Sequence, residues 1–171
     1  MADCFPGAIQ IGGPVPLHLA PALCEVITAS SALAERTEAP EILRTVDDLL
    51  LAVDPESRAL RLYNHEASYG CFSALEDWLR EHGIAYDRQS HARYEFDGQA
   101  ASFRLGIGLV ERTATQDGAP TTPLDDLRPV RELLTAALAE PTTARVKSAL
   151  DALEIATGPD VPPLEPFVLV D

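Results

Sequence analysis

The sequence has little positive charge and no long apolar run. Its 171 residues include 13 Lys and Arg against 27 Asp and Glu, which gives a formal net charge of −14. Phosphate backbones and anionic lipid headgroups repel such a surface, so we expect no direct binding to nucleic acid or to a membrane surface. The longest uninterrupted apolar stretch, residues 49–53, is far shorter than the ~20 residues that a membrane-spanning helix requires.

Cysteine is scarce and its spacing is irregular. The three cysteines are Cys4, Cys24 and Cys71, and no two of them form a C-x-x-C pair. This spacing excludes zinc ribbons and thioredoxin-type redox sites. The first residues carry an acid, Asp3, where a secretory signal would carry lysine or arginine, and no long apolar segment follows. We therefore expect a cytoplasmic protein with reduced thiols.

What remains is an ordinary globular composition with an uneven charge. Hydrophobic residues make up 46% and charged residues 23%, and the length suits one domain. Residues 1–57 hold nine acids and two bases, residues 58–112 eight and seven, and residues 113–171 ten and four, so the net charges are −7, −1 and −6. We expect an α+β fold in a single domain, residues 1–171. Its small, mainly antiparallel sheet would come from the near-neutral 58–112 module, covered by acidic helical flanks.

Hydrophobic periodicity predicts the order of the elements. Alternating apolar residues predict short strands at residues 8–11, 59–63, 84–88, 92–96, 101–105 and 167–170. Apolar residues at helical spacing predict helices from Pro21, over 40–53, over 73–82, and on either side of a break at 141–143. Residues 64–70 are expected to form a loop, and the polar stretch 113–123 a linker.

The predicted helix 73–82 has the clearest end signals. Ser73 and Glu76 match a capping box, in which the Ser73 hydroxyl accepts from the Glu76 amide and the Glu76 carboxylate accepts from the backbone at the helix start. Gly83 stands where a left-handed residue ends a helix, so that Ile84 can pack back on Leu79.

The same region resembles a group of bacterial proteins. Residues 69–76 read Y-G-C-F-S-A-L-E, and residues 83–88 read G-I-A-Y-D-R. This combination resembles small acidic bacterial proteins that have no assigned activity, over about 30 residues of the chain. The resemblance supports the boundaries of the 58–112 module and implies no mechanism.

The densest group of reactive side chains lies just before the predicted helix 73–82. Cys71 precedes a helix N-terminus, where free amides and a partial positive charge lower a thiol pKa. His65 and Glu66 lie in the same predicted loop, so Cys71 with His65 is a candidate nucleophile and base pair of a small enzyme. No third orienting residue is identifiable, and a free cysteine usually behaves as a small hydrophobe. The enzyme is therefore the alternative hypothesis.

We expect no metal and no cofactor. His65, Cys71, His82 and His91 are spaced unlike any zinc signature. The glycines at 12–13 and 106–108 do not lead into a helix with a dinucleotide- or phosphate-binding pattern. Arginines and acids alternate along the predicted strands, which favours cross-strand ion pairs over a nucleic-acid platform.

The leading hypothesis follows from the charge. Eight acids fall off the apolar stripes of the predicted helices and should face solvent: Glu41, Asp47, Asp48, Asp125, Asp126, Glu132, Asp151 and Glu154. An acidic surface steers a small domain toward basic partners. The sequence therefore favours a non-catalytic protein-binding protein, accessory or inhibitory, that engages a basic protein through this surface; a mimic of nucleic-acid charge is one form of it. The alternative is that the charge only keeps the protein soluble. The oligomeric state stays open.

Overall fold

The strands form one large and one small sheet in an α+β fold. The computed structural model describes residues 3–34, 42–92, 97–115 and 118–171. Its strands are β1 (Cys4–Gly12), β2 (Pro14–Pro16), β3 (Leu33–Ala34), β4 (Leu60–Ser68), β5 (Ala85–Ser90), β6 (Gly98–Arg104), β7 (Gly108–Ala114) and β8 (Val168–Val170). Six of them form an antiparallel sheet in the order β3-β4-β1-β5-β6-β7, and β2 pairs in parallel with β8. The expected α+β fold with a mainly antiparallel sheet is confirmed.

Five α-helices accompany the sheet. They are α1 (Ala20–Ala29), α2 (Val46–Leu51), α3 (Ser73–Glu81), α4 (Leu124–Ala139) and α5 (Thr143–Thr157), and a short 3-10 turn, Leu17–Leu19, precedes α1. Helix α1 contacts both α2 and α3, whereas α4 and α5 make most of their contacts with each other. The helices thus divide into a group of three and a hairpin of two.

The core lies between the sheet and the first three helices. Ile9 pairs with Leu62 and Arg88 across the sheet, and Ile11 pairs with Leu60 and Tyr86, so all of these side chains share one face. They pack with apolar side chains of α1, α2 and α3, among them Leu23, Ile27, Leu49, Leu75 and Leu79, all fully buried. A half-apolar sheet face covered by amphipathic helices is the usual core of such a fold.

The sheet draws on more of the chain than expected. Its central strand β1, which contains the strand predicted at residues 8–11, and its edge strand β3 come from residues 1–57, so the sheet is not confined to the 58–112 module in which it was expected. The predicted loop 64–70 is also wrong in most of its length, because β4 continues to Ser68, which pairs with Cys4. The ladder with β1 holds these polar residues extended although they lack an apolar alternation. Most of the predicted strand 92–96 lies outside the described residues.

The helix starts differ from the sequence prediction. The predicted helix 40–53 is shorter, because Thr45 caps α2: its hydroxyl accepts from the Asp48 amide at 3.2 Å, and the Asp48 carboxylate accepts from the Thr45 amide at 2.8 Å. Ser73 is not the cap of α3; Phe72 holds that position without a side-chain cap. Glu76 accepts the amide of Phe72 at 2.8 Å, so only the carboxylate half of the predicted capping box is present, one residue earlier.

The predicted end of α3 is confirmed. Gly83 has a φ of +68°, its amide donates to the Arg80 carbonyl, and the Ile84 amide donates to the Leu79 carbonyl at 2.8 Å. This is the hydrogen-bond pattern of a left-handed C-terminal cap. Ile84 is buried beside Leu79, as the pattern requires. Glycine is needed here because other residues adopt a positive φ at a cost.

Candidate functional site

Cys71 lies half-buried at the start of α3. Its Sγ donates to the Tyr69 carbonyl at 3.5 Å. Burial raises the pKa of the Cys71 thiol; the nearby Arg88 guanidinium acts in the opposite direction, and Glu76 and Glu111 raise the pKa further. A catalytic thiol needs the reverse balance, since the thiolate is the nucleophile. Around Cys71, burial and the two carboxylates thus outweigh the Arg88 guanidinium and disfavour the thiolate.

The other two residues of the enzyme hypothesis, His65 and Glu66, have contacts that do not include Cys71. The His65 ring meets the Tyr63 ring edge to face, with centroids 4.9 Å apart, and Tyr63 alternates along β4 with the core residue Leu62. His65 is thus exposed on the face turned away from the helices. The Glu66 amide donates to the Asn64 side chain at 2.8 Å. In the segments that the structure describes, Cys71 and His65 form no nucleophile and base pair.

The raised pKa of Cys71 predicts slow alkylation. We expect the pH midpoint of the iodoacetamide reaction at Cys71 to be higher in the folded chain than in the same chain in urea, because burial disfavours the thiolate. Mass spectrometry of the peptide that carries Cys71 separates its reaction from that of the other two cysteines. A midpoint below that of the unfolded chain would restore the enzyme hypothesis.

A buried ion pair forms between Glu76 on α3 and Arg88 on β5. Arg88 Nε lies 3.2 Å from Glu76 Oε1, and the two side chains are only 2% and 9% exposed. The Tyr86 hydroxyl donates to Glu76 Oε2 at 3.4 Å, and Arg88 Nη2 lies 3.6 Å from Glu111, on β7. Arg88 Nη1 is buried without a hydrogen-bond partner among the described groups. This cluster ties α3 to β5 from inside the core, and sequence reasoning missed it.

A second arginine forms an ion pair between two neighbouring strands of the sheet. Arg104 on β6 binds both carboxylate oxygens of Asp87 on β5 at 3.0 Å, which confirms the expected cross-strand pairing at these strands. Its Nε donates to the Pro162 carbonyl at 3.0 Å. A cavity of about 260 Å³ lies beside it, lined also by Gly13, Leu105 and Glu165. Most of the Arg104 donors are therefore used within the protein, on Asp87 and on backbone carbonyls.

Within residues 3–34, 42–92, 97–115 and 118–171, no group of three or more His, Cys, Asp or Glu side chains is arranged to hold a metal ion. Over the same residues, no helix has both the length and the apolar character needed to cross a membrane.

Most residues of the α4–α5 hairpin are exposed. Val130 and Ala137 of α4 and Ala149 of α5 are buried between the two helices. The main apolar core, as far as the structure describes it, contains no residue of the hairpin. Pro129 lies inside a continuous α4, although a proline in a helix interior usually kinks or breaks the helix. Thr142 starts α5, with its hydroxyl accepting from the Arg145 amide at 3.3 Å.

One side of this hairpin is apolar. Helical residues turn about 100° each, so Leu134 and Leu138 lie about 40° and 80° from the Val130 direction that faces α5. Val146, Leu150 and Leu153 lie about 40–100° from the Ala149 direction in the same sense. Because the helices are antiparallel, equal senses of rotation point to the same side. We call this side the hairpin face: Leu127, Leu134, Leu138, Val146, Leu150 and Leu153.

The predicted acids that the structure describes lie in two separate places, on helix α2 and on the α4–α5 hairpin. Asp47 is exposed on α2, while the carboxylate of Asp48 is used in the α2 cap. Asp125 is exposed and pairs with Arg128 at 2.7 Å. Glu41 lies outside the described residues. The remaining predicted acids are exposed on the hairpin, away from the hairpin face or at its rim: Asp126, Glu132, Asp151 and Glu154.

Scans of the chain against protein-family models, against curated proteins and against solved structures find no match. The evidence on function therefore comes from the geometry of the hairpin, the acids and the buried cluster.

Proposed function

We propose that this chain is a non-catalytic, cytoplasmic protein-binding protein of the accessory or inhibitory kind, and that the α4–α5 hairpin is its binding element. The observation that carries the proposal is the exposure of the hairpin. Its apolar leucines lie in water, and it adds nothing to the main core within the described chain. Contiguous exposed apolar surface on a small domain marks a site of protein interaction.

The charge supports a basic partner. Asp126 and Glu132 lie exposed on the hairpin outside its ion pairs, which join Arg128 to Asp125 and Arg145 to Glu140. Their carboxylates add to a molecule of net charge −14, whose field accelerates encounters with cations on another protein. A partner that otherwise binds nucleic acid would present such cations, so charge mimicry is one form of the proposal.

The surroundings of Cys71 do not favour the enzyme. The raised pKa of its thiol and the placement of His65 on the outer sheet face leave the reaction without an activated nucleophile or a base beside it. The binding function therefore stands as the better supported of the two hypotheses.

The test compares two variants that lose the same charge. The tagged chain is used to capture protein from the source organism, and the captured protein is identified and its binding measured by calorimetry. We expect a basic protein, with binding weakened by Asp126→Asn/Glu132→Gln and by added salt. The control Glu56→Gln/Glu81→Gln removes two exposed carboxylates from the body of the domain and should bind as the wild type.

Two outcomes would contradict the proposal. If both double variants weaken binding equally, the hairpin acids have no special part and the charge acts only as a net quantity. If no captured protein binds in a salt-dependent manner, the charge serves solubility alone.

A further inference from the structure

The hairpin face is too apolar to remain in water over its whole length. Its exposed members range from 38% for Leu153, through 43% for Leu134, 45% for Val146 and 57% for Leu150, to 84% for Leu138. Two helices can bury only the seam between them, which here consists of small or β-branched residues. The arrangement is that of one half of a four-helix bundle.

The charges at the two rims of the hairpin face have opposite signs. Arg128 and Arg131 lie about 160° and 100° around α4 from the seam, at its outer rim. Asp151 and Glu154 lie about 200° and 140° around α5, at the opposite rim. Residues equally far from the turn at residue 141 lie at the same level, which places Arg131 level with Asp151 and Arg128 level with Glu154.

These rims select a particular arrangement of two copies. A two-fold axis parallel to the helices lays α4 of one copy on α5 of the other, antiparallel, so that the arginine rim of each meets the acidic rim of the other. Lys147 then lies opposite Thr135, with no like-charge contact. An axis across the helices would instead set arginine against arginine and acid against acid, which is unfavourable.

We propose that a second copy of this chain covers the hairpin face, forming a two-fold symmetric dimer through an antiparallel four-helix bundle. This inference rests on the proposed function, in which the hairpin is a binding element. The hairpin holds six acids and four bases, a net charge of −2 out of −14, so two hairpins meet with little of the repulsion that the rest of the chain carries. The dimer leaves Asp126 and Glu132 on its outside, available to the basic partner.

The first test is the mass of the full-length chain by sedimentation across a concentration series. We expect twice 18.4 kDa for the wild type. Leu134→Glu should raise the dimer Kd about 1,000-fold, because two buried leucines are lost per dimer. Leu133→Glu is the matched control. Leu133 is the neighbouring leucine, and its side chain is 38% exposed against 43% for Leu134. Because Leu133 lies about 60° to the other side of the seam, the variant should leave the dimer intact. Thermal melts of both variants are the control for folding.

The second test fixes the orientation. Arg131→Glu should raise the dimer Kd about tenfold, since it sets like charges together twice per dimer. Arg131→Glu/Asp151→Arg should restore it. Within one hairpin these two residues lie at opposite outer rims, so the rescue can arise only between copies.

Several outcomes would overturn the inference. A monomeric wild type overturns it, as does an equal effect of Leu133→Glu and Leu134→Glu. If the wild type is monomeric while Leu134→Glu abolishes capture of the basic protein, a different protein covers the hairpin face and the proposed function stands. If Leu134→Glu changes neither the mass nor the capture, the hairpin face takes no part in self-association and the dimer is overturned, whereas the proposed function is decided by Asp126→Asn/Glu132→Gln.

Discussion

Replacing Arg88 with methionine is expected to lower the free energy of unfolding by about 3–5 kcal/mol. The Arg88 side chain is 2% exposed, and its Nε lies 3.2 Å from the Glu76 carboxylate, which is itself 9% exposed. Methionine fills most of the volume but leaves Glu76 buried with only the Phe72 amide and the Tyr86 hydroxyl as partners. A buried charge that loses its counter-ion is among the most destabilising changes in a core.

The control variants separate burial of the pair from simple loss of charge. Arg80→Met breaks the ion pair of Arg80 with Asp77, whose side chains are 35% and 69% exposed, and should cost less than about 1 kcal/mol. Arg88→Met/Glu76→Leu should recover most of the loss, because an apolar pair of similar volume can replace a buried ion pair. Urea denaturation measures all three. A cost below about 1 kcal/mol for Arg88→Met would mean that water reaches the guanidinium.

The parts of the fold that the sequence predicted are those determined by nearby residues. Helix α3, its left-handed end at Gly83, and the break between α4 and α5 near Pro141 all depend on residues within a few positions of one another. Turn and cap chemistry acts over such distances, so it is readable from the sequence. The exposed hairpin acids followed from the same helical periodicity.

The parts that were missed depend on partners far away in the chain. The polar end of β4 is extended because Ser68 pairs with Cys4. Strand β8 was predicted at residues 167–170, but its parallel pairing with β2, Val168 with Pro14, was not. Neither pairing has a local signal, since a strand is specified by its neighbours as much as by its own residues.

The buried ion pair was missed for a different reason. Glu76 had a sufficient local explanation as a capping residue, and alternation along the strand placed Arg88 in a surface ion pair. Only the packing of α3 on β5 shows that Arg88 points inward, where its register neighbour is Ile9. Arginine is rarely buried on the core side of a strand, so periodicity alone places it on an exposed face or edge of the sheet.

Gly70→Ala should destabilise the fold by at least about 3 kcal/mol, for two reasons that add. Gly70 has a φ of +68°, and a Cβ at this position would lie 2.3 Å from the Ser90 Cβ on β5. The same turn also lies close to β1, because its carbonyl oxygen would lie 2.5 Å from a Cβ at Gly7, the register partner of Ser90. The turn therefore packs closely on two neighbouring strands, and a methyl group at residue 70 has no space beside Ser90.

Gly13→Ala separates the two reasons. Gly13 has a φ of +78°, and no described atom lies within 4 Å of a Cβ built there, so alanine meets the backbone strain without the steric clash. It should cost about 1–2 kcal/mol, the penalty for an L-residue in the left-handed region. The difference between the two variants in urea denaturation measures the close approach of the 69–71 turn to β5. Equal losses of unfolding free energy would show that Ser90 and its strand move to admit the added methyl group. The conformation of the turn would then depend on its backbone and not on its packing against β1 and β5.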